Sequence, residues 1–174
     1  AEVTKNAGII AEQSARITKI IQQLLDYTRR RSPSREPVEL GRVAKGTLDV
    51  LEHQIDAAKV KASYEAAAAV TVPVDADQLQ QGCMNLILNA VQAMPEGGEL
   101  GVRVDRVVRR KEGLESSPPQ DYAVLEVRDT GIGIPAADRD RIFEPFYSTK
   151  VDGGGTGLGL AVSHGIVKDH DGWI

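Results

Sequence analysis

Val127-Arg128-Asp129-Thr130-Gly131-Ile132-Gly133-Ile134-Pro135 begins as the end of a strand and finishes as a glycine turn. Just before it, Ala123, Leu125 and Val127 alternate with polar residues, the period-2 pattern of a strand buried on one face. Asp129 falls on the same side as those three, so alternation aims its carboxylate at the apolar face, where a hydrogen-bond partner must offset desolvation. Gly131 and Gly133 let backbone approach a ligand closely or take a positive φ. A plain turn and a ligand-binding edge both fit these residues.

Toward the N-terminus, Leu100, Val102 and Val104 form a second alternating strand, joined to the first through the polar stretch Arg109 to Gln120. Asp77 to Met94 reads as a helix with Asp75 as its N-cap and Pro95-Glu96-Gly97-Gly98 as the turn that ends it. On that helix Gln81, Asn85, Asn89 and Gln92 fall in one narrow stripe, opposite Leu79, Cys83, Leu86, Ile87, Ala90 and Met94. Asparagine is a weak helix former, so two of them one turn apart ask for a reason. Either the stripe is solvated, or its amide oxygens serve a hard cation such as Mg²⁺, which needs few protein ligands. Lys59 to Glu65 and Val70 to Val74 read as strands and Leu40 to about Ala58 as a helix, with Val43, Leu48, Leu51 and Ile55 on its apolar side.

Toward the C-terminus, Phe143-Glu144-Pro145-Phe146-Tyr147-Ser148-Thr149-Lys150 precedes Gly153-Gly154-Gly155-Thr156-Gly157-Leu158-Gly159-Leu160-Ala161, and Leu158 to about Lys168 returns to helix. Five glycines in seven residues ahead of a helix expose backbone N–H groups suited to phosphate oxygens, and Lys150 can add a positive charge; a flexible loop with a helix cap is the alternative. The spacing fits neither a Walker A loop nor a dinucleotide fingerprint.

The chain opens with a helix from about Val3 to Arg30, whose Val3, Ile10, Ile17 and Leu24 recur in heptads with Ile20 and Tyr27 between them, a seam for packing on other helices, with docking on its own domain as the alternative. Ser32-Pro33-Ser34-Arg35-Glu36-Pro37 breaks it as a linker. The expected division is therefore a long helix over 1–31, a linker over 32–37 and one domain over 38–174. Its mixture of strands, hairpins and helices predicts an α+β fold, helices layered on one face of a mixed, mostly antiparallel sheet. The 174 residues suffice for one core, a net charge of −4 gives no reason to expect nucleic acid, and no apolar run suggests a membrane contact. The single Cys83, read as a small core residue, fits a reducing compartment. His53, His164 and His170 read as surface or cap residues, with His164 the one near enough to touch a ligand at the glycine-rich loop.

Taken in order, Asn85-Leu-Ile-Leu-Asn89-Ala, Asp129-Thr-Gly-Ile-Gly133, Phe143 to Phe146 and Thr156-Gly-Leu-Gly-Leu-Ala161 resemble the N, G1, F and G2 boxes of the catalytic domain of sensor histidine kinases, nearest their nitrogen-regulation branch. The wider group includes gyrase, MutL and the large heat-shock chaperones. The resemblance runs from Val38 to Ile174 and implies a two-layer α/β sandwich of the Bergerat type that binds ATP and Mg²⁺. It implies Asn89 as a Mg²⁺ ligand, Asn85 and Gln92 on the phosphate side, Asp129 as acceptor for the adenine amino group, and Gly131, Gly133 and Ile134 around the adenine. Lys150 and the backbone of Gly155, Thr156, Gly157, Leu158 and Gly159 would hold phosphates, with Asp152 to Gly155 as a lid.

The opening helix is similar to the second helix of the family's dimerisation and phosphoacceptor hairpin. A homodimer, that hairpin and a response regulator are the implied partners, and the cytoplasm the implied location. None of His53, His164 and His170 occupies a phosphoacceptor motif on a hairpin helix, His170-Asp171 standing at the end of the last helix, so no catalytic residue is assigned. Gln92 stands where many relatives carry a basic residue, and Asp171 replaces a commoner glycine. A nucleotide-binding regulatory module without turnover is one alternative. A gyrase- or chaperone-like ATPase is the other, disfavoured because Asn85 and not an acid precedes Asn89 by one turn.

Overall fold

The computed structural model describes residues 6–8, 10, 11, 14, 18, 21, 33–67, 69–110, 118–149 and 155–174. The described positions of the opening segment are helical, with the Thr18 hydroxyl donating to the Ser14 carbonyl at 2.9 Å. The rest of that expected helix, Lys150 and residues 151–154 lie outside the described residues, as does 111–117 of the polar stretch.

The elements are β1 (Glu36–Glu39), α1 (Leu40–Ala57), β2 (Val60–Ala66), β3 (Thr71–Val74), α2 (Ala76–Gln92), β4 (Gly98–Arg109), β5 (Gln120–Asp129), a 3₁₀ turn (Ala136–Asp138) and α3 (Gly159–Asp169). The expected α+β layering is present, but the strands divide into two sheets. β1 and β3 form an antiparallel pair; β2, β4 and β5 form a mixed sheet in that order, β2–β4 parallel and β4–β5 antiparallel. Glu36 and Pro37 are strand, not linker. Pro37 lies opposite Pro73, and neither has an N–H to offer, so the two prolines share a non-hydrogen-bonded pair that leaves the ladder on either side of them intact.

Leu100, Val102 and Val104 on β4 are buried while Glu99 and Arg103 are exposed, so one sheet face carries the core and the other meets solvent. α1 brings Leu40, Ala44, Leu48, Leu51 and Ile55 to that face, and α2 brings Cys83, Ile87, Ala90 and Met94 just past its end. Leu86 departs from the expected apolar side: it is only half-buried and borders a cavity on the far side of α2. Burial pushes the Cys83 thiol above its ordinary pKa, which suits a core residue. α1 ends at Lys59 in the left-handed region (φ 58°), its N–H returning to the Asp56 carbonyl at 2.9 Å.

The Asp75 carboxylate caps α2, accepting from the Gln78 N–H at 3.1 Å. That bond, helped by bonds from the Ser34 and Asp77 amides, holds its carboxyl below the usual range. A depressed carboxyl contributes stability above its unfolded pKa and loses it as pH falls through the folded value. Asp75→Ala is expected to lower stability by about 1 kcal/mol at neutral pH. In urea melts that gap should close as pH drops below the ordinary carboxyl value of 3.8; a gap independent of pH would remove the charge from the explanation.

Candidate functional site

A cavity of about 360 Å³ opens between α2, the end of β5 and the glycine segment leading into α3. That volume is the low end of what small-molecule sites offer, roughly 300–1,000 Å³. Asn85, Asn89, Gln92, Asp129, Gly133, Ile134, Gly155, Thr156, Gly157 and Gly159 all line it. Segments read separately in the sequence are therefore walls of one space. Of the other expected positions, Gly131 and Leu158 are not part of the lining; Leu158 is fully buried, and Lys150 lies outside the described residues. Gln81, on the same stripe of α2, is also outside the lining.

α3 begins against the asparagines. Asn85 donates through Nδ2 to the Gly159 carbonyl at 3.2 Å, which leaves its Oδ1 as an acceptor. A side chain at Gly159 would stand 3.7 Å from Asn89 Nδ2, so the two asparagines and the first turn of α3 are in contact. The Leu158 cap makes no side-chain bond to the helix, so the positive end of the dipole is left without a carboxylate or hydroxyl from its N-cap.

At the other wall Asp129 is exposed, not buried as its alternation suggested. Alternation gives the side of the strand but not what covers it, and here the cavity lies over that position. Its Oδ1 accepts from the Gly131 N–H at 2.9 Å. Gly131 serves by close approach, since a Cβ there would stand 2.5 Å from the Ala93 carbonyl oxygen, to which the Ile132 N–H donates at 3.0 Å. Gly133 has open space around it but a φ of 69°. The turn displays Ile132 (83% exposed) and Ile134 (45% exposed) at the rim.

Asp138 and Tyr147 are cavity residues that the sequence reading did not single out. Tyr147 Oη donates to Asp138 Oδ1 at 2.5 Å, and the Arg141 guanidinium lies 4.2 Å from the Tyr147 ring centroid. The bond to Asp138 holds the Tyr147 hydroxyl above its ordinary pKa. Nothing in local spacing signals this pair, because nine residues of irregular chain bring it together. Phe146, at φ 68°, donates its N–H to the Gly157 carbonyl at 2.9 Å. His164 packs its ring on Phe143, centroids 5.2 Å apart, and is not part of the cavity lining as its position had suggested. His53 is exposed, and His170 bonds at both ring nitrogens, with Asp75 N–H on Nε2 and the Ile166 carbonyl on Nδ1.

Among the described residues no group of three or more His, Cys, Asp or Glu is arranged to hold a metal ion. The asparagine oxygens beside an uncapped helix start still suit Mg²⁺, which takes much of its octahedron from water and phosphate.

The geometry, a neutral-oxygen stripe facing a helix start and a single carboxylate at a glycine turn, agrees with the comparisons. Residues 74–174 match the family described as histidine kinase-, DNA gyrase B- and HSP90-like ATPase, and the chain belongs to it, as a catalytic domain of the sensor histidine kinase type. The sensor kinase CckA of Brucella abortus is 36% identical over 95% of this chain, which spans 18% of that protein. The structure of the mycobacterial sensor histidine kinase MprB superimposes with a TM-score of 0.65 at 26% identity, covering 79% of this chain and 80% of that one. Histidine kinase ThkA in complex with the response regulator TrrA shares the fold (TM-score 0.73, 22% identity, 98% of this chain, 45% of that one). Among the described residues no helix is long and apolar enough to cross a membrane.

Gly157 combines a φ of 68° with a position where a Cβ would meet the Phe146 backbone, whereas Gly133 has only the unusual φ. Gly157→Ala should lower stability by about 2–4 kcal/mol and Gly133→Ala by about 1–2 kcal/mol in denaturant melts. Equal losses would mean that the Phe146 contact is not tight.

Proposed function

We propose that the chain binds MgATP in this cavity and passes the γ-phosphoryl to a histidine on a hairpin helix outside it, for relay to a response-regulator aspartate. The single observation that carries the reading is that Asn85, Asn89, Asp129, Gly155, Thr156, Gly157 and Gly159 line one cavity. Asp129 accepts from the adenine six-amino group with the oxygen that Gly131 does not occupy. Gly131, Gly133 and Ile134 shape the base pocket. Asn85, Gln92 and the backbone from Gly155 to Gly159 face the phosphates, where the dipole of α3 favours negative charge. Lys150, outside the described residues, is proposed as a cation for the phosphates.

Asn89 would hold Mg²⁺, and the ion would supply neutralisation of the charge that builds on the phosphates. In the transfer a histidine nitrogen forms a bond to the γ-phosphorus as the bond to the β,γ-bridging oxygen breaks, and ADP leaves with the electron pair. This chain's residues contribute position and electrostatics, the usual protein share of phosphoryl transfer. The opening helix is read as part of the dimerisation hairpin, which makes the intact protein a homodimer with this domain in the cytoplasm. The named partner of ThkA, a response regulator, is the class of partner proposed here.

Asp129 sets base choice. An ionised carboxylate only accepts, so adenine's amino group fits it and guanine's carbonyl opposes it. A charged hydrogen bond contributes about 1.5–3 kcal/mol, so ADP should bind roughly ten- to a hundredfold tighter than GDP. Asp129→Ala is expected to weaken ADP far more than GDP, and Asn89→Ala to remove the Mg²⁺ dependence of ATP binding while the chain stays folded. Calorimetric titrations beside a thermal melt decide both. A native protein that binds GDP as well as ADP, or an Asn89→Ala protein with unchanged Mg²⁺ dependence, overturns the assignments.

A further inference from the structure

α2 and α3 pack side by side in opposite directions. At the cavity, Asn85 of α2 meets Gly159 of α3; midway, the fully buried Ser163 hydroxyl shares its one proton between the carbonyls of Gly159 (3.0 Å) and Gly82 (3.3 Å). At the far end the Asp75 N–H donates to His170 Nε2 at 2.9 Å, while His170 Nδ1 bonds the Ile166 carbonyl at 2.7 Å. With its proton on Nδ1 the imidazole bridges the cap of one helix to the last turn of the other.

That far end is also where the segment before β1 is held. The Ser34 N–H donates to Asp75 Oδ2 at 3.0 Å. Arg35 pairs with the Asp171 carboxylate at 2.7 Å and donates to the Asp169 carbonyl at 2.6 Å. Asp171 is the left-handed residue that ends α3 (φ 61°), with its N–H on the Lys168 carbonyl and the Gly172 N–H on that of Val167. Glycine takes that conformation without penalty and aspartate does not. The side chain that makes aspartate costly here is the one that binds Arg35.

We propose that Ser34 and Arg35 clamp the segment entering the domain to the Asp75–Asp171 end of the α2–α3 pair, and that this clamp and nucleotide at the opposite end strengthen each other through the two helices. The proposal rests on the nucleotide reading above. An 11-residue helix is about 16 Å long and moves as a rod. A ligand that holds Gly159 against Asn85 therefore also steadies Asp169 to Asp171 at the other end of the rod, with the Ser163 bonds between them. Coupling of two sites through one element is reciprocal in binding free energy. Arg35 and Asp171 act as positioning residues, since neither borders the cavity. Their pair is well exposed (38% and 75%), so the coupling is a few-fold effect.

The test is MgADP affinity and hydrogen exchange at the Ser34 amide in native protein, Asp171→Gly, Arg35→Ala and the double variant. Asp171→Gly removes the carboxylate while relieving the left-handed backbone, so it keeps its fold. Each single variant should bind MgADP about three- to tenfold more weakly, and the double variant no more weakly than either. Ser34 exchange should slow when MgADP is added to native protein but not to Asp171→Gly. Unchanged affinity with nucleotide-independent Ser34 exchange overturns the coupling and leaves the nucleotide site standing, and losses that simply add overturn the Arg35–Asp171 pair as its carrier. A native chain that does not bind MgADP overturns the nucleotide reading and the coupling together.

Discussion

The buried Ser163 hydroxyl, seated on the carbonyls of Gly82 and Gly159, holds α3 against α2 at one height and in one register. That contact decides where the glycine segment ends up, because Gly159 is both the first residue of α3 and the partner of Asn85. Residues 74 positions apart in the chain, Asn85 and Gly159, meet as a result. The sheet does not do this work directly: α1 and α2 cover its apolar face, and α3 is positioned through α2. A hydroxyl buried among apolar neighbours is tolerated only when bonded, and Ser163 meets that requirement on the carbonyls of its own helix and of α2.

The cavity suits a polyanion without being strongly basic. Its described wall includes two asparagines, an exposed aspartate and the start of a helix. Backbone N–H groups and a helix dipole stabilise phosphate locally and add no net charge to a chain whose balance is already −4. Neutral amide oxygens likewise serve a divalent cation without a carboxylate cluster that would repel the same phosphates. The proposed pairing of anion and cation therefore asks for no net charge from the described wall.

The elements carrying the site were legible because each obeys a local rule. Asp75 is a cap, Leu100 to Val104 and Ala123 to Val127 alternate, and the Asn85–Asn89 pair stands on one turn spacing. What depends on pairing at a distance was not legible. β1 hid behind Pro37, which reads as a breaker until Pro73 is found opposite it. Leu86 sits at the boundary of the α2 stripe, where periodicity alone cannot tell core from cavity. Asp129 was placed on the right side of β5 but given the wrong surroundings, since exposure is set by the glycine turn and α2. Tyr147 and Asp138 join across irregular chain that has no period to read.

Ile132, Ile134 and Phe146 stand out in solvent on a chain with few aromatics to bury. Folding does not cover Ile132 and Ile134 because their turn is pinned elsewhere: Gly131 is pressed against Ala93, Gly133 takes a left-handed φ, and Pro135 fixes the exit. Apolar surface of this kind adds little to the stability of the empty domain, yet each square ångström that a flat base covers contributes about 25 cal/mol to binding. The same turn holds the Asp129 carboxylate through the Gly131 N–H, so the apolar contact and the base recognition proposed here would come from one backbone arrangement. On the proposed reading affinity and selectivity are separable: the isoleucines favour any flat ring, and the carboxylate distinguishes which edge the ring presents.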